Sequence, residues 1–165
     1  MQKEERKVRS DKKIDVKPTV SIILKNQLFT LSQLFDEPVK DVAEHICKEA
    51  ANSKFIIEDI CKWFRRNYFY RNTVALGDPN RPKLKIKSRG ETSKVTIRFK
   101  RNDYDVLCNL AHALDITPTS TAGVLIRMSI RNPKFMSEFV QMYFSHLGED
   151  RKRKIDLFLK GIHEN

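Results

Sequence analysis

One pattern constrains this chain more than any other: a short alternating segment followed by amphipathic helical stripes occurs twice, with about 75 to 80 residues between the copies. Val20-Ser21-Ile22-Ile23-Leu24 faces Val95-Thr96-Ile97-Arg98-Phe99. Lys25-Asn26 is followed by Leu28, Leu31 and Leu34 just as Arg101-Asn102 is followed by Tyr104, Leu107 and Leu110. Further on, Asn52-Ser53-Lys54-Phe55 matches Asn132-Pro133-Lys134-Phe135, and Glu58 and Phe64 match Glu138 and Phe144. An internal duplication accounts for a strand and a junction that recur together. The 165 residues then hold two small units, and a unit of this size buries little surface by itself.

The expected organisation follows from apolar spacing and breakers. Residues 1–18 carry seven basic and four acidic side chains with almost nothing apolar, and are expected to form a disordered basic arm. The first unit, 19–64, begins with a predicted strand Thr19 to Lys25 that turns Val20, Ile22 and Leu24 inward. A helix from Gln27 to about Phe35 stops at Asp36-Glu37-Pro38. A second carries Val42, Ala43, Ile46, Cys47 and Ala50 inward, and a third has the stripe Phe55, Ile56, Ile60, Trp63 and Phe64. In the linker 65–93, Lys83-Leu84-Lys85-Ile86-Lys87 alternates like a strand that Arg89-Gly90-Glu91-Thr92 could fold back onto Lys94 to Phe99. The second unit spans 94–147, and residues 148–165 read as a C-terminal packing helix.

Charge narrows the partners. Lys plus Arg number 32 against 21 Asp plus Glu, a net +11, which points to a polyanion. Eight basic and two acidic residues make the linker the most basic part of the chain. With no apolar run of about 20 residues and a charged start, neither a membrane span nor a secretory signal is expected. The protein is therefore expected to be cytoplasmic and, through its partner, nucleoid-associated. Cys47, Cys61 and Cys108 sit in apolar-periodic stretches without a Cys-x-x-Cys pair, as buried thiols do.

The order of strand, short helix, turn and longer helix resembles the ribbon-helix-helix DNA-binding module. The second unit carries the resemblance best: Lys94-Val95-Thr96-Ile97-Arg98-Phe99-Lys100, a helix from Asp103 to Leu114, the turn Asp115 to Ser120, and a capped helix from Thr121. Leu110-Ala111-x-x-Leu114-Asp115-Ile116-Thr117 is similar to the Arc and Met repressor family over about 45 residues per copy. The resemblance implies a mainly α chain with short β-strands: a tandem ribbon-helix-helix pseudo-dimer plus a C-terminal helix. Two strands would pair antiparallel and enter the major groove. Lys94, Thr96 and Arg98 of one strand, with Thr19 and Ser21 of the other, would read bases. Thr119, Ser120 and Thr121 would offer the start of a helix to a phosphate. Lys25, Lys100, Arg101, Lys83, Lys85 and Lys87 would add backbone contacts.

The first copy departs from the pattern. An apolar Ile23 stands among its outward residues, and Asp36, Glu37 and Asp41 lie where phosphate should approach. Residues 19–64 sum to −2 and 94–165 to +4. The first copy therefore reads mainly as a strand partner, and pairing within one chain would give an asymmetric DNA site. Pairing between two chains, a homodimer, competes with that monomeric arrangement.

Other constellations carry less. Arg65-Arg66-Asn67-Tyr68-Phe69-Tyr70-Arg71 interleaves cations and aromatics, as single-stranded nucleic acid binders do, but also fits a packed helix end. His45, Cys47 and Cys61 lack a fourth ligand, so no metal or other cofactor is expected. Tyr68, Tyr70, Tyr104 and Tyr143 lack the companions of a catalytic nucleophile, so no enzyme is expected. The expected role is a transcriptional repressor or a plasmid or mobile-element accessory factor acting in relaxosome, replication or partition. A protein-interaction scaffold docking a partner through its helices, and an RNA binder, are the alternatives.

Overall fold

The computed structural model describes residues 12–87 and 90–164. The chain is mainly helical, with short antiparallel strand pairs. In order run β1 (Ile14–Val16), β2 (Thr19–Ser21), α1 (Ile22–Phe35), α2 (Val39–Ala50) and α3 (Lys54–Ile60) with a 3₁₀ turn, Cys61–Trp63. Then come β3 (Tyr68–Tyr70), β4 (Thr73–Ala75), β5 (Thr92–Lys94), β6 (Ile97–Phe99), α4 (Arg101–Leu114), α5 (Pro118–Arg131), α6 (Pro133–Phe144) and α7 (Glu149–His163).

The four strands β1, β2, β5 and β6 make one two-stranded ribbon. Ile14 lies opposite Phe99 and Val16 opposite Ile97, while Thr19 lies opposite Lys94 and Ser21 opposite Thr92. Two residues on each side separate the two stretches, so the register runs through without a bulge. Pro18 is the reason for the interruption: Val95 N donates to the Pro18 carbonyl at 3.0 Å, but Pro18 has no N–H to return the second bond. Beyond β2 the same register holds, with Ile22 N donating to Glu91 O at 3.0 Å. Alternation sends Val16, Pro18 and Val20, with Val95, Ile97 and Phe99, into the core, and leaves Asp15, Lys17, Thr19, Lys94, Thr96 and Arg98 exposed.

This corrects the expected limits of the first strand. The ribbon takes in residues 14–18, which had been assigned to the disordered arm, while residues 1–11 lie outside the described set. The strand also stops at Ser21, whose Oγ accepts from Leu24 N at 3.1 Å and caps α1. Ile22, Ile23 and Leu24 belong to that helix, which starts five residues before Gln27, and Ile23 is exposed on it.

Helix starts recur at one spacing: Ile22 and Arg101, Val39 and Pro118, Lys54 and Pro133 are each 79 residues apart. Both α1 and α4 end in a left-handed Asp, Asp36 at φ 56° and Asp115 at φ 57°. In each case the N–H groups of that Asp and of the residue after it donate to carbonyls in the last turn of the helix. The repeat is thus in register at 79 throughout, rather than 75 at the strand and 80 at the third helix. Packing follows suit, with α2 against β6 and α5 against β1 and β2. Between the ribbon and these helices lies one core that includes Leu28, Leu31, Leu107, Leu110, Ile46 and Ile126, all 2% exposed or less. Phe35 and Phe144 stack with centroids 3.7 Å apart and tie α6 to α1.

The linker hairpin is not where the alternation of Lys83 to Lys87 suggested. Among the described residues that segment has no strand partner, and β5 and β6 are already paired with the first strand. Instead Tyr68–Tyr70 pairs with Thr73–Ala75 around Arg71 and Asn72, both at positive φ, as a two-residue hairpin turn requires. Tyr68 is buried beneath it and its hydroxyl donates to Ala51 O at 2.7 Å; burial, aided by Tyr70, pushes its pKa up to about 12.

Candidate nucleic-acid interface

The exposed face of the ribbon gathers six polar side chains in three cross-strand pairs: Asp15 with Arg98, Lys17 with Thr96, and Thr19 with Lys94. The hydrogen bonds at Pro18 and Val95 and at Ile22 and Glu91 make the core-facing pairs the bonded ones. The outward pairs are therefore the non-bonded type, whose side chains stand closer together. Arg98 Nε lies 3.2 Å from Asp15 Oδ1, with both side chains about half exposed. A two-stranded ribbon is one of the shapes a major groove admits, and Lys, Thr and Arg can donate to or contact base edges.

Of the residues singled out from sequence, Lys94, Thr96, Arg98 and Thr19 lie together on this face. Ser21 lies at its end and is engaged as the cap of α1. Lys25 lies in the first turn of α1, where its Nζ donates to Ser93 Oγ at 2.8 Å, so it braces the ribbon rather than extending it. Asp15 and Lys17 were missed. They had been placed in the arm, and shifting the chain by 79 residues would have found them, since it sets Val16 and Val20 against Val95 and Phe99.

At the ribbon end formed by Ser21 and Thr92, the start of α5 comes close. A groove of about 790 Å³ there is walled by Ser21, Thr92, Ile23, Leu84, Ser120 and Arg127, among others. Thr117 is the cap of α5, accepting from Ser120 N at 3.1 Å, and Pro118 takes the first helical position. Thr119 and Ser120 are exposed in the first turn. Thr121 is fully buried, and its Oγ1 donates to Thr117 O at 2.9 Å, which withdraws it from contact with an external phosphate. Gly123 of α5 faces the ribbon, where a Cβ would rest in ordinary contact 3.5 Å from Pro18 Cβ. Lys100, the residue before α4, and Arg101, its first residue, are exposed at the opposite ribbon end.

The linker cations divide. Arg65, Arg66 and Lys83 surround Asp115 at 3.5, 3.3 and 3.6 Å, and Arg66 also donates to His112 O. Partial burial works against the Asp115 charge, but Lys83, Arg66 and Arg65 outweigh it and hold the carboxyl below its ordinary range. Arg81 spans the carbonyls of Cys61 and Phe64. Lys85 and Lys87 are exposed and enter no ion pair among the described residues, and Ser88 and Arg89 lie outside the described residues.

Cys47 is buried, donates weakly to Ala122 O, and has its thiol pKa pushed up by that burial and by Glu44. Among the described residues, no group of three or more His, Cys, Asp or Glu side chains could hold a metal ion, and no helix is long and apolar enough to cross a membrane. No known protein family, curated protein or solved structure matches this chain.

Proposed function

We propose that the protein binds double-stranded DNA sequence-specifically, laying the ribbon of residues 14–21 and 92–99 in the major groove. The observation that carries this reading is the ribbon itself: eight facing residue pairs in one register, polar outward and, Ser93 apart, apolar toward the core. The two strand-helix-helix units act as the halves of a tandem ribbon-helix-helix pseudo-dimer within one chain. The 79-residue spacing makes Lys17 and Thr96 equivalent, and they stand opposite one another, so the pseudo-twofold axis passes between them. Around it Asp15 corresponds to Lys94, and Thr19 to Arg98. No outward position is repeated chemically, and the preferred DNA site is accordingly asymmetric.

Phosphate contacts come from the start of α5 at Thr119 and Ser120, with Lys85, Lys87, Lys100 and Arg101 beside the ribbon. In this role the protein is a repressor or an accessory factor at a plasmid or mobile-element site. A binding site inside a promoter favours the first, and one beside a nick site or origin the second. The scaffold alternative draws on one observation, the exposed Phe69, Val74 and Leu76 of the β3–β4 hairpin. Changing Lys94 and Arg98 together to Ala separates these readings. Major-groove reading predicts loss of sequence preference with residual non-specific binding, a bidentate Arg contact being worth about 1–3 kcal/mol of discrimination. Equal loss of specific and non-specific affinity would contradict it.

A further inference from the structure

The aspartates that end α1 and α4 are equivalent, and each meets cations from outside the repeat. Asp115 is met by Arg65, Arg66 and Lys83 of the linker. Asp36 is met by Arg151 of α7, with Nη1 3.9 Å from Oδ2. α7 packs on α1 and α5 through the buried Ile155 and Leu159, which leaves Arg153 and Lys154 exposed and in no ion pair among the described residues. At its far end His163 Nε2 contacts Ile130 O, near the end of α5 that points away from the ribbon. α7 thus runs from the α1–α2 turn, its basic end, toward the back of the molecule.

This placement answers a deficit in the first unit. The α1–α2 turn carries Asp36, Glu37 and Asp41 against Lys40, where its counterpart offers Thr119 and Ser120. We infer that the start of α7, Arg151 to Lys154, is the phosphate-binding element for the half of the DNA site held by the first unit. The inference rests on the DNA-binding reading. Glu149 and Asp150 precede the four cations, so the turn of α7 is net positive by two. Asp36 draws Arg151 to the turn and leaves the exposed Arg153 and Lys154 for the DNA backbone. Each half of the complex then has its own borrowed cations, the linker at one end and α7 at the other.

The test compares the wild type with Arg153→Gln/Lys154→Gln and with Lys160→Gln, an exposed charge at the far end of the same helix. Affinity for a selected duplex is measured from about 50 to 200 mM salt, with phosphate-ethylation interference on both strands. The double variant is expected to flatten the log K against log salt slope by about 0.9 for each phosphate released, leaving base preference intact. Interference should disappear at one side of the site only, and Lys160→Gln should change neither. An unchanged slope and interference pattern in the double variant would overturn the inference, as would a slope lost equally in Lys160→Gln. A wild type that binds no duplex would instead overturn the DNA-binding reading, a result visible before any variant is measured.

Discussion

Asp15 is the residue that most distinguishes one strand of the ribbon from the other. It sits where the second strand has Lys94, and its carboxylate holds the Arg98 guanidinium 3.2 Å away across the ribbon. A carboxylate on a surface that meets DNA repels phosphate, yet one beside a cytosine amino group accepts from it. Asp15→Ala should therefore raise affinity for random duplex and lower the ratio of specific to non-specific binding. Competition binding against unrelated DNA measures both. Asp115 carries a different expectation. Its folded-state pKa is depressed, so its contribution to stability is present above the unfolded value, about 3.9, and is lost as pH falls through the folded value. Denaturant titrations between about pH 2 and 5 should show a shallower acid loss in Asp115→Asn than in the wild type, Asn being tolerated in the left-handed conformation.

At the scale of elements, caps and breakers decide where helices begin, and they explain what could be read in advance. Thr117 closes the first turn of α5 at the ribbon end, and Thr117→Ala should cost about 1 kcal/mol, read as a shifted denaturant midpoint at constant slope. The same change should loosen Thr119 and Ser120 and weaken DNA binding without altering base preference. The Leu28, Leu31 and Leu34 spacing made α1 visible, and Asp36-Glu37-Pro38 marked its end. Its start was hidden because Ile22, Ile23 and Leu24 suit a strand as well as a helix, and Ser21 is a cap only if the chain turns there. Ile14 to Val16 was hidden for another reason. Three residues between lysines form a strand only by pairing with Ile97 to Phe99, some 80 residues away, a contact that no local pattern encodes. The alternation of Lys83 to Lys87 misled because the partner it needs was already taken.

For the whole molecule, joining two strand-helix-helix units in one chain frees them from being identical. A ribbon made by two copies of one strand reads a palindrome, whereas here three outward residues differ between the strands at equivalent positions. The second unit and linker carry most of the positive charge, the first unit is net acidic, and α7 brings cations back to it. In the proposed function, specificity and backbone attraction are divided among different segments of one chain. The most direct measurement is selection of bound duplexes from a random pool at about physiological ionic strength, where purely electrostatic binding is weak, typically 10⁻⁴–10⁻⁶ M. The account predicts enrichment of one asymmetric motif that Lys94→Ala/Arg98→Ala no longer selects. A palindromic motif would contradict the single-chain ribbon, and no enrichment would contradict sequence-specific DNA binding itself.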